Sequence, residues 1–231
     1  MNILAIDTSS TSGSIALNRD QKIVFMSYLD VSRTHSERLL SQIDFGLKHC
    51  EISVNALDLI CIGNGPGSFT GVRIGLATAK GLCLSNQIPL HPFNTLELLA
   101  HNLWGTQRAI LCLIDARMGE IYGALYDSDH KIIIPPCNSA PAEFLQKIDR
   151  PVMVVGDGVI KYRKLLQNSG LDFWEALPHQ HLNLAATMIS MVSHYQLKPS
   201  YDPFLLAELE PFYLRPSQAE VIKKKKLEEN I

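Results

Sequence analysis

The sequence predicts an α/β chain made of two halves that share one order of elements. Three observations predict it. The first half reads strand, strand, strand, helix, strand, helix; the second half repeats that order; and the leading apolar strand of each half closes on an aspartate, Asp7 after "ILAI" and Asp115 after "LCLI".

Taken in order, "NILAIDTSS" reads as a buried strand ending at an acid. "SGSIALN" and "KIVFMSYL" follow with strand patterning around the polar turn "NRDQ", which makes a three-stranded meander. "RTHSERLLSQIDFGLKHC" sets Leu39, Leu40, Ile43 and Leu47 on one helical face, with Thr34 and Glu37 at capping-box spacing. "LDLICIG" is a short buried strand, and the glycine-rich segment after it leads into a second helix. This is the ribonuclease H-like pattern, a mixed sheet with helices packed on it. In the second half "AILCLIDA", the hairpin strands "GEIYGALYD" and "HKIIIP", the helical "APAEFLQKI" and the strand "PVMVVGDG" follow in the same order. The likeness lies in element order, so duplication is an expectation. A boundary near Gly105 gives an N-terminal subdomain over 1–105 and a C-terminal one over 106–215. Pro216 then opens an amphipathic tail, 216–231, with Ser217 and Glu220 at capping-box spacing.

Composition narrows the function. With 46% hydrophobic and 19% charged residues in 231, the chain reads as soluble and globular. A formal net charge of −2 excludes a wholesale basic surface for nucleic acid. Five scattered cysteines without a C-x-x-C pair point to buried thiols in a reducing compartment. "MNILAID" lacks a basic start and no apolar stretch approaches about 18 residues, so a cytoplasmic protein is expected.

Six of the fourteen glycines fall within residues 63–84, "GNGPGSFTGVRIGLATAKGLCL". Neither phosphate-binding spacing fits them. No G-x-x-x-x-G-K-[S/T] register exists, and in G-x-G-x-x-G the third position is Thr70. Gly71, Gly75 and Ala79 instead share one helical face. Glycine inside a helix costs about 1 kcal/mol against alanine, and a close-lying second backbone compensates. That backbone belongs either to the chain's own sheet or to a second protein.

"ILAIDTSSTSGSIAL", "RTHSERLL", "GPGSFTGVRIGLATAKGL", "TLELLA", "DARMGEIYGALYD" and "PFYLRP" resemble the TsaB (YeaZ) family of bacterial tRNA threonylcarbamoyladenosine biosynthesis proteins. The resemblance covers most of residues 3–126 and recurs at 211–216. It implies an actin/hexokinase-like (ASKHA) fold of two ribonuclease H-like subdomains. It also implies a non-catalytic, activating subunit that pairs with the catalytic paralogue TsaD, is joined by the ATPase TsaE, and reaches tRNA through the complex. Unpartnered, such a chain is expected to form a homodimer through the same helices, 36–48 and 71–82. The residues so implicated are Leu39, Leu40, Ile43, Leu47, Thr70, Gly71, Ile74, Gly75, Thr78, Ala79 and Leu82, and the resemblance favours a second protein against the glycine face.

The catalytic paralogue holds a metal through an H-x-x-x-H pair. In the corresponding "NTLELLA" of this chain Thr95 and Leu99 stand at those places, and leucine has no lone pair to donate. His179 and His181 are expected in a solvated loop and His35 in a helix-capping region, so no metal and no catalytic residue are expected. Asp7, Thr8, Ser9 and Ser10 resemble in outline the first phosphate loop of kinases of this fold, and a strand-end cap is the other reading of Asp7. The second loop, Asp115-Ala116-Arg117-Met118, lacks hydroxyls, and Asp157 separates Gly156 from Gly158, where its carboxylate would oppose an anion. No cofactor is expected beyond weak or shared ATP/ADP binding. An ATP-dependent phosphotransferase or ATPase is the alternative function, and a glycoprotease-like metallopeptidase is disfavoured. The lysines at 223–226 read either as a solvated helix end or as a contact to tRNA phosphate.

Overall fold

The computed structural model describes residues 1–30 and 35–215, with the backbone alone for 35–37. The Thr34–Glu37 capping pair, the His35 side chain, the Ser217–Glu220 pair and the lysine run at 223–226 lie outside the described residues.

The alternation Ile3, Ala5 against Leu4, Ile6 gives β1 (Asn2–Asp7) two apolar faces, so it sits mid-sheet with cores on both sides. It pairs antiparallel with β2 (Gly13–Arg19), which pairs antiparallel with β3 (Lys22–Leu29). On its other side it pairs in parallel with β4 (Leu59–Gly63), and β4 with β5 (Leu90–Phe93), giving the order β3-β2-β1-β4-β5. The second sheet joins β6 (Ala109–Arg117), β7 (Glu120–Tyr126), β8 (Ile132–Ser139), β9 (Val152–Val155) and β10 (Phe173–Glu175) in the order β8-β7-β6-β9-β10. Strand for strand the two sheets match, antiparallel on one flank and parallel on the other. The chain has the actin-like fold of two ribonuclease H-like halves.

One face of the first sheet carries α1 (His35–His49) and α2 (Phe69–Asn86), over Leu4, Ile6, Leu17, Ile60 and Ile62. Between the sheets lies α3 (Thr95–His101), its Leu98 packed with the first and its Leu96 and Leu99 with the second. The outer face of the second sheet is covered by α4 (Pro141–Leu145), α5 (Asp157–Lys161) and α6 (Arg163–Asn168) through Phe144, Leu145, Val159 and Leu166.

The chain then crosses back. Helix α7 (Ala185–His194) buries Ala185, Met188, Ile189, Met191 and Val192 against Ile3, Ala5, Ala16 and Cys61. Helix α8 (Pro203–Glu208) puts Leu206 into the α1–α2 core, and Lys80 Nζ donates to the Ala207 carbonyl at 3.0 Å. The segment 106–215 therefore does not stay with the second sheet, because the face of the first sheet opposite α1 and α2 needs an apolar cover, which α7 supplies together with Leu98 of α3.

Candidate partner surface and interlobe cleft

Ser68 caps α2, its hydroxyl accepting from Gly71 N at 3.3 Å. A Cβ at Gly71 would overlap the Thr8 carbonyl oxygen, and one at Gly75 would overlap Thr8 Oγ1 and press Ile62. Thr8 Oγ1 donates to the Gly71 carbonyl at 2.7 Å, and Ser68 N donates to the Ser9 carbonyl at 2.6 Å. The backbone that meets the glycine face is thus the chain's own β1–β2 loop. Assigning Gly71, Gly75 and Ala79 to a second protein is corrected: Gly71 and Gly75 are closed by that loop, and Ala79 is buried in the core under α2. Leu39, Ile43 and Leu47 are likewise buried in that core.

What α1 and α2 leave outside is a different set. Thr70, Ala77 and Gly81 are exposed on α2, flanked by half-buried Ile74, Thr78 and Leu82, and a Cβ at Gly81 would meet nothing. At 100° per residue Thr70, Ile74, Ala77 and Gly81 centre about 130° around the helix from the stripe of Gly71, Gly75 and Ala79. On α1 Leu40 and Phe45 are exposed at 58% and 52%, Phe45 toward Phe25 of β3, and Leu84 on α2 is exposed at 64%. Phe45, Ala77, Gly81 and Leu84 escaped the reading of the sequence. Their signal was a second small-residue spacing, Ala77 to Gly81, on the same helix.

The phosphate-loop residues are committed within the chain. Asp7 has no exposed surface; its Oδ1 accepts from Ser9 N at 3.0 Å and Ser9 Oγ at 2.8 Å, and Asn183 Nδ2 donates to Ser9 Oγ at 3.0 Å. Burial pushes the Asp7 carboxyl up to about 7, against the lowering effect of those hydrogen bonds. Gly63 has room for no side chain because the Asp7 carboxylate occupies that space. The Thr8 and Ser9 hydroxyls and the Ser9 carbonyl are thus hydrogen-bonded within the chain. The strand-end cap is the reading the geometry favours for Asp7.

Across the cleft, Asp115 Oδ1 accepts from Arg117 N at 2.9 Å and Lys161 Nζ at 2.7 Å, and Asp157 Oδ1 accepts from Asp115 N at 2.9 Å. Burial and the neighbouring Asp115 charge raise the Asp157 carboxyl above its ordinary value. A cleft of about 470 Å³ separates this wall from Ser9, Ser10 and the start of α2. Residues 210–215 run beside it, Arg215 reaching its lining. Phe212 N donates to the Asn64 carbonyl at 2.8 Å, Tyr213 stacks on Phe69 at 4.1 Å, and Arg73 Nε donates to the Tyr213 hydroxyl at 2.7 Å. Arg215 reaches the second half through Glu120 at 3.2 Å.

Thr95 and Leu99 are fully buried, and no group of three His, Cys, Asp or Glu side chains among the described residues is placed to hold a metal. The "HQH" pair divides. His179 is exposed, whereas His181 is buried and ties Gly156 to the Ala176 carbonyl at 3.1 Å, which corrects its placement in a solvated loop.

The family model described as TsaD, tRNA N6-adenosine threonylcarbamoyltransferase, matches residues 29–196. A Bacillus subtilis protein named tRNA threonylcarbamoyladenosine biosynthesis protein TsaB is 34% identical over 176 residues, 73% of this chain and 76% of that protein. Its namesake from Escherichia coli is 34% identical over 182 residues, 74% and 78% of the two chains. The solved structure of YeaZ from Pseudomonas aeruginosa superposes with a TM-score of 0.74 at 25% identity, covering 92% of this chain and 99% of that one.

Proposed function

The chain belongs to the TsaB (YeaZ) family, and from that premise we propose that it serves tRNA threonylcarbamoyladenosine synthesis in the cytoplasm as a non-catalytic subunit. It docks the catalytic paralogue TsaD on the outward faces of α1 and α2, and it forms a homodimer through those faces when TsaD is absent. TsaE joins the assembled pair, and tRNA is reached through the complex.

The observation that carries this reading is the outward face of α2. Thr70, Ala77 and Gly81 leave its backbone nearly bare, and Leu84 on the same helix and Leu40 on α1 are exposed apolar groups. Small side chains let a second helix approach closely, and the flanking apolar groups gain from being covered, each by about 1.5–3 kcal/mol on full burial. A stable pairing buries about 1,600 Å² in total, within reach of two helices per partner. Family membership supports the pathway. Two features support the absence of catalysis: Thr95 and Leu99 offer no metal-ligand pair, and the Asp7 loop spends its polar groups on the chain itself. The same loop geometry disfavours the phosphotransferase alternative.

The test is Gly81→Leu. Its new side chain enters open space and removes a helix-interior glycine, so the monomer keeps its fold and keeps or raises its thermal midpoint, while co-purification with TsaD falls at least tenfold and modification in the reconstituted system falls with it. Pairing at wild-type strength would remove α2 from the interface.

A further inference from the structure

His130 ties the two halves together at the end of the second sheet remote from Asp115. It lies in the turn 127–131 between β7 and β8, and that turn follows Tyr126, which pairs with Ile110 at the start of β6. Its ring stacks on His101 of α3 at 4.2 Å and on Trp104 at 5.0 Å between centroids. From the end of α7, His194 meets Trp104 edge-on at 4.5 Å and Tyr195 meets His101 at 5.6 Å. The turn itself holds the ring out. Asp127 Oδ1 accepts from Asp129 N at 2.9 Å and Lys131 N at 2.8 Å, and His130 N donates to the Asp127 carbonyl at 3.1 Å. His130 takes a φ of +62°, in the left-handed region where histidine is one of the few side chains often found.

Hydrogen bonding decides which form of this ring fits. His130 Nδ1 is buried and meets no partner among the described residues. A bare lone pair tolerates that place; the N–H of an imidazolium would be a charged, unpaired donor there. The neighbouring ring has its partners. His101 Nδ1 donates to the Glu97 carbonyl at 2.9 Å, its Nε2 lies 3.1 Å from the Tyr195 hydroxyl, and that hydroxyl donates to Glu97 Oε1 at 2.6 Å. The groups around His130 are therefore Asp127, Asp129 and Lys131 on its own turn, His101 with Glu97 behind it on α3, and His194 with Tyr195 at the end of α7. Burial opposes a proton on His130 most, His101 and His194 oppose it further, and Asp127 and Asp129 favour it. The balance lowers the ring from 6.5 to about 4.

We propose that His130 is a proton-released latch: neutral, its ring clips the β7–β8 turn to α3 and the end of α7, and protonated, it withdraws and frees that turn from the first half. His101, Trp104 and His194 also border a cavity of about 490 Å³, which gives their rings room to rearrange. The docked ring binds its proton more weakly than the free one. Docking is therefore at full strength above about pH 6.5 and weakens by up to about tenfold per pH unit as the pH falls from there towards 4. The latch stands apart from the outward faces of α1 and α2 and does not rest on the partner reading.

Nuclear magnetic resonance on the full chain tests it. The chain has two tryptophans, and the Trp104 indole signal is assigned by its loss in Trp104→Phe. Between pH 7.5 and 4 the His130 ring is expected to titrate at least one unit below the ordinary value of about 6.5. Its cross-relaxation with the Trp104 ring should fade over the same range, and the Trp104 indole signal should move with the same midpoint. His130→Asn supplies a residue that accepts the left-handed φ and removes the titrating ring. In that variant the Trp104 signal takes its acid position already at pH 7.5 and loses the step. A His130 midpoint above about 5.5 overturns the proposal in the wild-type chain alone, as does a ring that stays against Trp104 once it has taken its proton. A Trp104 step of unchanged size in His130→Asn assigns the step to His101 or His194 and overturns it as well.

Discussion

Asp7 carries a carboxyl group with no exposed surface whose pKa burial lifts from 3.8 to about 7. The folded chain therefore binds this proton more tightly than the unfolded one. The stabilisation is fully present below about pH 4 and is lost as pH rises to 7, a change on the order of a few kcal/mol. His130 works in the opposite direction: burial, with His101 and His194 nearby, lowers it from 6.5 to about 4, so its contribution is lost as pH falls through the same window. Wild-type stability consequently mixes two opposed slopes. Asp7→Asn removes one, and urea denaturation between pH 4.5 and 8 is expected to show the variant gaining on the wild type steadily as pH rises. Parallel curves would mean that Asp7 does not titrate in this range. That Asp7 closes its strand was legible in the sequence. Its protonation was not, because burial by Gly63, Ser9 and Asn183 depends on residues up to 176 positions away in the chain.

Helix α2 shows where periodicity stops informing. Spacing states which residues share a face but not what that face meets, and α2 has two small-residue faces. Gly71 and Gly75 lie against Thr8, whereas Gly81 lies open. Two leucine substitutions on one helix should thus fail differently. Gly75→Leu drives a side chain into Thr8 and Ile62 and is expected to lower stability by about 1–3 kcal/mol or more, seen as an earlier urea midpoint before any partner is added. Gly81→Leu keeps or raises that midpoint, by up to about 1 kcal/mol of helix propensity, and loses pairing. If Gly75→Leu were as stable as the wild type, the close approach of α2 to the β1–β2 loop would be refuted. The strands of both sheets were otherwise readable from β-branched runs between polar turns. The short edge strands β5 and β10 were not, being four and three residues long. Helix α7 did carry a signal, Ala185, Met188, Ile189 and Val192 at helical spacing, which the search for a repeated half passed over.

At the scale of the whole molecule, the two matched sheets are not two independent units, because the chain returns to the first sheet after completing the second. Without α7, the face formed by Ile3, Ala5, Ala16, Leu59 and Cys61 keeps little apolar cover beyond Leu98. Met188, Ile189, Met191 and Val192 each contribute about 1.5–3 kcal/mol by burial, a sum comparable with the total stability of about 5–15 kcal/mol typical of a folded chain. Asn183 and the strap at 210–215 add polar ties to the same half, at Ser9, Asn64 and Arg73. A fragment of residues 1–105 keeps every strand of its sheet and both helices of the proposed interface, yet lacks this cover. It is expected to bind a hydrophobic dye and to unfold without a cooperative transition, while the full chain unfolds in one. Cooperative melting of the fragment would show that the first half stands alone, and the return of α7 would then be a tether between halves and not a part of the first half's core.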